Sequence, residues 1–258
     1  MKPAQAPRMK FSNPCVMLFE SSSEKPSRTS HSKAQAMSQT PVHEFHNQDL
    51  LEVIPWGASR LIEVGCSSGA LAREFKKISP SCHYFGIEID PDYAKLADRY
   101  CNETLVMDIE NADEAFWNKH ADRDCWIFGD CLEHLRDPWN ILRKVRKAMP
   151  PGASIAACIP NAQHWSLQAR LSIGDFRYEE SGLLDKTHLR FFSRQTILEM
   201  FNDTGFAVSE CVPRIFPEPA RDRFLPAIEQ LARLAGADPQ TAVQDAMPIQ
   251  YVVRAEPT

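Results

Sequence analysis

From residue 44 onward the chain alternates between two hydrophobic patterns. Short continuous apolar runs recur at RLIEV (60–64), HYFGIE (83–88), ETLVM (103–107), CWIFG (125–129) and SIAACI (154–159), and FAVSECV (206–212) and IQYVVRA (249–255) close the series. Runs of this length bounded by turn residues read as strands. Between them lie stretches with apolar residues every three or four positions. EFHNQDLLEVI ends at Pro55, and ALAREFKKI (70–78) puts Leu71, Phe75 and Ile78 on one face. Pro91 opens DYAKLADRY, Asp137-Pro138 opens WNILRKVRKAM, and Ser193 caps RQTILEMFNDT, which stops at Gly205. These read as helices. Strands alternating with helices imply a parallel sheet covered on both faces. The expected fold is α/β: a doubly wound sheet of seven strands, mostly parallel, with an antiparallel C-terminal edge strand.

One domain is expected over 41–258, with a helical insertion at 216–247 between the last two strands. The insertion holds RDRFLPAIEQLARLAGA, with Leu225, Ile228 and Leu231 at helical spacing, and Asp238-Pro239 reads as the start of a second short helix. Residues 20–40 are rich in Ser and charge with little to bury, so 1–40 is expected to be a disordered tail. Met37 opens MSQTPVHEF, which reads as a natural start, so the residues before it are open to an upstream start codon. The apolar run CVMLF is too short for a signal peptide.

Hydrophobic residues make up 43% of the chain and charged residues 24%, as in ordinary globular domains. No apolar run is long enough to span a membrane. A net charge of −5 argues against a broad nucleic-acid face. The 8 cysteines contain no C-x-x-C pair, so reduced thiols and a cytoplasmic location are expected. No metal is expected: Asp130, Glu133 and His134 imitate a ligand set, but no second cluster at suitable spacing completes it.

In an open parallel sheet, ligands bind beyond the carboxyl ends of the strands. After the first strand comes Glu63-Val64-Gly65-Cys66-Ser67-Ser68-Gly69, a small-residue turn leading into a helix N-terminus that favours an anionic group. Glu88 ends the second strand, where a carboxylate can accept both hydroxyls of a ribose; Asp108 follows the third and Asp130 the fourth. A P-loop is excluded because no lysine follows Gly69. A dinucleotide fingerprint is partly matched by Gly65, Ser67 and Ala70, with Glu88 further on. S-adenosyl-L-methionine offers a carboxylate for the turn amides, a ribose for Glu88 and an adenine amino group for Asp108.

The motifs LIEVGCSSG, GIEID, VMDIE and FGDCLEHLRDP, in that order and each at a strand end, resemble the four motifs of the class I S-adenosylmethionine-dependent methyltransferases. The resemblance runs over about residues 45–255. It implies a Rossmann-like fold and a cofactor site at Glu63, Gly65, Cys66, Ser67, Gly69, Glu88, Ile89, Asp108, Ile109 and Asp130. The stretch GDFRYEESGLLDKTHLRFFSRQTILEMF (174–201) is similar to a bacterial subgroup acting on small molecules, often in glycan pathways. Ser67 departs from the family pattern, which has glycine there. If the glycine's conformation is required, serine adopts it at a cost and cofactor binding weakens.

Methyl transfer to a hydroxyl gains from a general base, and histidine suits that role. His134 follows the fourth strand beside Glu133, His164 lies in PNAQHWSLQARL, and His188 lies in Asp185-Lys186-Thr187-His188-Leu189-Arg190. His188 or His134 is expected to be the base, with Asp185 orienting it. His164, Trp165, Tyr178 and Arg190 are expected on the acceptor side, near Phe176, Phe191 and Phe192. The expected activity is methylation of a small polar acceptor, a hydroxyl of a sugar or a glycan or natural-product intermediate, by a monomer or homodimer. Two alternatives stand beside it. A binding subunit without turnover is supported by Ser67 and opposed by Glu88, Asp108 and Asp130; a nicotinamide-dependent oxidoreductase is supported by the partial fingerprint.

Overall fold

The computed structural model describes residue 41 and residues 44–258; the stretch expected to form a tail, 1–40, lies outside them. Seven strands form one sheet: β1 (Arg60–Val64), β2 (His83–Glu88), β3 (Glu103–Val106), β4 (Cys125–Gly129), β5 (Ser154–Pro160), β6 (Phe206–Arg214) and β7 (Gln250–Pro257). Their order is β3-β2-β1-β4-β5-β7-β6. β1 to β5 pair in parallel, and β7 is antiparallel to both β5 and β6. The expected seven-stranded, mostly parallel sheet is therefore present, with its antiparallel pairing at the C-terminal end. β7 inserts between β5 and β6, so the outermost strand is β6. That edge is broken by a bulge between Val208 and Glu210 and carries exposed polar residues, features that discourage edge-to-edge pairing.

The helices are α1 (Gln48–Val53), α2 (Ala70–Ile78), α3 (Pro91–Ala97), α4 (Glu114–Lys119), α5 (Pro138–Ala148), α6 (Trp165–Ser172), α7 (Arg194–Asp203), α8 (Leu225–Leu234) and α9 (Pro239–Ala246). Their starts have local causes. Asp90 accepts from Asp92 N and Tyr93 N ahead of Pro91, and Asp137 accepts from Asn140 N ahead of Pro138. Ser193 and Thr196 form a capping box. α1 begins later than its apolar pattern because Asn47 caps it, accepting from Leu50 N at 3.1 Å.

Side chains alternate across each strand into two cores. Ile62, Phe85, Trp126, Phe128 and Ile155 face one layer, with residues of α4, α5 and α7. Leu61, Tyr84, Cys125, Ile127 and Ala156 face the other, with residues of α1 and α2. Each large side chain buried this way contributes about 1.5–3 kcal/mol. A smaller cluster joins Trp165 of α6 to Ile228 of α8 and Ala246 of α9, and so docks the insertion.

β1 is the point where the sheet's growth reverses: β2 lies on one side of it and β4 on the other. The first crossover helix packs tightly there. A Cβ on Gly69, whose φ is +77°, would stand 3.0 Å from Ala97 Cα in α3. Left-handed backbone costs a non-glycine residue about 1–2 kcal/mol, and the crowding adds to it. Gly69→Ala is therefore expected to lower unfolding free energy by about 2–3 kcal/mol, measured from urea midpoints. An unchanged midpoint would show that α2 and α3 tolerate separation here.

Candidate active site

The β1–α2 loop is stitched to the end of β2. Gly65 N and Cys66 N donate to Ile87 O at 2.8 and 3.0 Å, and Ser67 N donates to Glu88 Oε2 at 2.8 Å. The other oxygen of Glu88 accepts from Ile89 N and Asp90 N at 2.8 and 3.1 Å. Burial raises the Glu88 pKa, and the three amides oppose that rise. Ser67 adopts φ +47°. Serine thus takes the backbone conformation usual for glycine, at a cost of about 1–2 kcal/mol. Strain of this kind clusters at functional sites. Asp130, at the end of β4, is the other non-glycine residue with positive φ among the described residues, at +50°.

The neighbouring groups suit an amino-acid-tailed nucleoside. Gly69 gives α2 no side-chain cap, so the first-turn amides of this nine-residue helix are available to a carboxylate. Glu88 stands at the end of β2 next to Ser67. Ile89 is 51% exposed directly beyond it, an apolar surface for a flat ring. Asp108 caps the turn at Ile109–Asn111 and pairs with Arg136 at 3.1 Å. Asp130 Oδ1 accepts from Gln250 of β7. Two of the expected cofactor residues offer only their main chain: the Cys66 side chain is buried beside Cys101, and the Ile109 side chain lies in the core.

Glu63 sits beneath this loop. It is buried, and its Oε2 accepts from Tyr84 OH at 2.8 Å. Burial pushes its pKa up to about 8, with the Tyr84 bond opposing.

A second group of side chains gathers beyond β4. The turn at Leu132–His134 carries Glu133 and His134, and the 185–190 segment is tied onto it, since Leu189 N and Arg190 N both donate to Glu133 O, at 2.9 and 3.0 Å. This brings His188 to His134, with ring centroids 4.8 Å apart and edge to face. Asp185 reaches this pair through an intermediary. Its Oδ1 accepts from Thr187 Oγ1 at 2.7 Å, and Thr187 Oγ1 lies 3.0 Å from His134 Nδ1. His188 Nε2 stands 4.0 Å from Glu133 Oε1. Burial raises the Glu133 pKa well above the usual carboxylate range. Burial, then the neighbouring His134, lowers that of His188 to about 4, and burial lowers that of His134. His188 is therefore neutral near pH 7, so its contact with Glu133 is not an ion pair.

Aromatic rings lead outward from the histidines. His188 meets Phe191 at 6.2 Å, Phe191 meets Phe176 at 5.9 Å, and Phe176 meets Tyr178 at 5.8 Å. Phe176, Tyr178 and Phe191 are all exposed, and Arg190 beside them donates to Arg136 O. Phe192, by contrast, is in the core. His164 and Trp165 do not share this surface. Both are buried, and His164 Nε2 and Trp165 Nε1 meet Glu218 Oε2 at 3.1 and 2.8 Å, while Trp165 stacks on Phe224 of the insertion. Their polar atoms fasten the insertion to α6. Thr187, Gln250 and the buried state of Glu133 escaped the sequence reading. Thr187 had one available signal, its place between Asp185 and His188.

A family model described as a methyltransferase domain matches residues 22–210. The chain belongs to this methyltransferase-domain family. A curated relative, the malonyl-[acyl-carrier protein] O-methyltransferase of Brevibacillus brevis, is 24% identical over 151 residues, which cover 57% of this chain and 54% of the relative. The chain thus spans about half the length of the curated relative it matches. An Archaeoglobus fulgidus SAM-dependent methyltransferase superposes with TM-score 0.56 at 17% identity, over 81% of this chain and 91% of that one. The plantazolicin methyltransferase BpumL, solved with SAH, gives TM-score 0.52 at 15% identity over 78% and 76% of the two chains. At such identities the likeness establishes the fold. Among the described residues, no helix is long and apolar enough to cross a membrane.

Glu63 gives the methyltransferase domain a pH signature. Its folded value of about 8 lies above the ordinary 4.5, so the native state keeps a proton that the unfolded chain releases. The stability that this proton supports is fully present below the unfolded value. It declines as pH rises toward the folded value and is lost above it, with a slope of up to about 1.4 kcal/mol per pH unit. Glu63→Gln keeps an acceptor for Tyr84 and removes the titration. Its melting temperature is expected to fall less than wild type between about pH 5 and about pH 8. Parallel curves would refute a protonated Glu63.

Proposed function

We propose that this chain is an S-adenosylmethionine-dependent methyltransferase that methylates a hydroxyl of a small polar acceptor, of the sugar or glycan-intermediate class. The observation that carries the reading is the placement of the His134–His188 pair beyond β4, on the same sheet rim as the Glu88-anchored loop. S-adenosylmethionine is the cofactor, and when bound it supplies a methyl group on a sulfonium that leaves as a neutral thioether. The first-turn amides of α2 hold its carboxylate, Glu88 its ribose, and Ile89 with Asp108 its adenine. Gly65, Ser67 and Gly69 let the backbone approach closely.

The remaining work belongs to the acceptor side. Much of the acceleration comes from holding the hydroxyl in line, since well-oriented reactants reach effective molarities of about 10⁵–10⁸ M. His188 and His134, both neutral near pH 7, take the hydrogen bond of the hydroxyl and then its proton, worth about 10²–10⁴-fold. Thr187, held by Asp185, keeps His134 in place. The exposed Phe176, Tyr178 and Phe191 give a sugar ring apolar faces to lie on, and Arg190 adds a charged donor. The O-methyltransferase activity named for the Brevibacillus brevis relative supports an oxygen acceptor.

His188→Ala is expected to lose turnover more than about 100-fold, while cofactor affinity measured by calorimetry stays within a few-fold. Unchanged turnover in both His134→Ala and His188→Ala would overturn the base assignment. Absence of S-adenosylmethionine binding at millimolar concentration would overturn the activity itself.

A further inference from the structure

Glu133 is 1% exposed, and neither of its carboxylate oxygens takes a hydrogen bond from another residue. A carboxylate so placed is costly unless a positive charge or a donor meets it. The groups facing it are two imidazoles. His188 Nε2 lies 4.0 Å from Glu133 Oε1, and one ligand atom from each of Glu133, His134 and His188 lies within 4.8 Å of the other two.

The tautomers of both histidines follow from their partners. His134 Nδ1 lies 3.2 Å from the Thr187 carbonyl, and His188 Nδ1 lies 3.4 Å from the Leu183 carbonyl. A carbonyl only accepts, so each Nδ1 carries the proton and each Nε2 presents a lone pair. The Thr187 hydroxyl, which donates to Asp185, accepts from the same His134 Nδ1. Outer hydrogen bonds of this kind fix the ring orientation of metal-binding histidines. Two imidazole lone pairs and one buried carboxylate without a hydrogen-bond partner gathered in this way form a ligand set for a cation.

We propose that Glu133, His134 and His188 bind one divalent transition-metal ion of the zinc, manganese or iron(II) class. Two imidazole nitrogens and one carboxylate oxygen are a ligand set these ions accept. Bonds of about 2.0–2.2 Å place donor atoms roughly 3–3.5 Å apart, so small side-chain rotations close the set. Three protein ligands leave coordination positions open. The metal site stands on the ligand geometry alone. Its role rests on the methyltransferase reading: a bound ion would occupy both Nε2 lone pairs, so in the ion-loaded chain the acidity of an acceptor hydroxyl at the open position would replace proton uptake by the histidines.

The test uses the full, tag-free chain, stripped with a chelator and titrated with Co²⁺, Mn²⁺ and Zn²⁺ without any methyl donor. The expected result is one ion per chain, visible ligand-field bands with Co²⁺, and a raised melting temperature with each ion. Glu133→Gln removes the buried charge and should fold at least as well as wild type. It and His188→Gln are each expected to weaken binding about tenfold or more. Absence of bands and of melting shifts in the wild-type chain overturns the proposal, as does undiminished binding in either variant. A chain that binds the ion but not S-adenosylmethionine keeps the metal site and loses the methyltransferase reading.

Discussion

The carboxylate of Glu88 organises this molecule. Through three backbone amides, those of Ser67, Ile89 and Asp90, one buried side chain joins the turn after β1 to the turn after β2. Charge-assisted bonds to a carboxylate are stronger than neutral ones. They let Ser67 stay in a conformation it would otherwise leave, and they set the direction in which α2 departs. α2 then meets Ala97 of α3 so closely that a Cβ at its start would crowd the neighbouring backbone. The two crossover units nearest the sheet's reversal are therefore locked by one group, at the place where a ligand must enter.

The two halves of the candidate site are built by different means. The β1–β2 half is made of main chain, held by parallel strand pairing and by Glu88. The β4 half is made of side chains from distant segments, joined by the two amides that the 185–190 segment donates to Glu133 O. The first half is fixed by strand pairing and Glu88 whatever the other side chains, whereas the second depends on which residues stand in the 185–190 segment. A shared cofactor fold serving many acceptors would work in this way: the main-chain half stays constant and the side-chain half varies.

Much of the fold could be read from residues alone. β1, β2 and β4 match their apolar runs end to end, because Gly65, Asp90-Pro91 and the Asp130 turn stop them abruptly. α4 went unseen, since its six residues carry only Phe116 and Trp117 as buried apolar residues, too few to show a period. The position of β7 was equally illegible. An apolar run shows that a strand is buried on both faces but not which strands flank it. In the site, the glycine-like backbone of Ser67 and the carboxylates at strand ends were foreseeable from motif order. The burial of Glu133 and the diversion of His164 and Trp165 to Glu218 depend on tertiary packing, which local composition does not encode.

The antiparallel strand in the interior of the sheet has a consequence for folding. β5 and β6 cannot be bridged until β7 slides between them and pairs with both. Such long-range pairing is slow to form. Until β7 slots in, the folding chain carries a split sheet with two open borders, and the hydrogen bond from Gln250 to Asp130 cannot form.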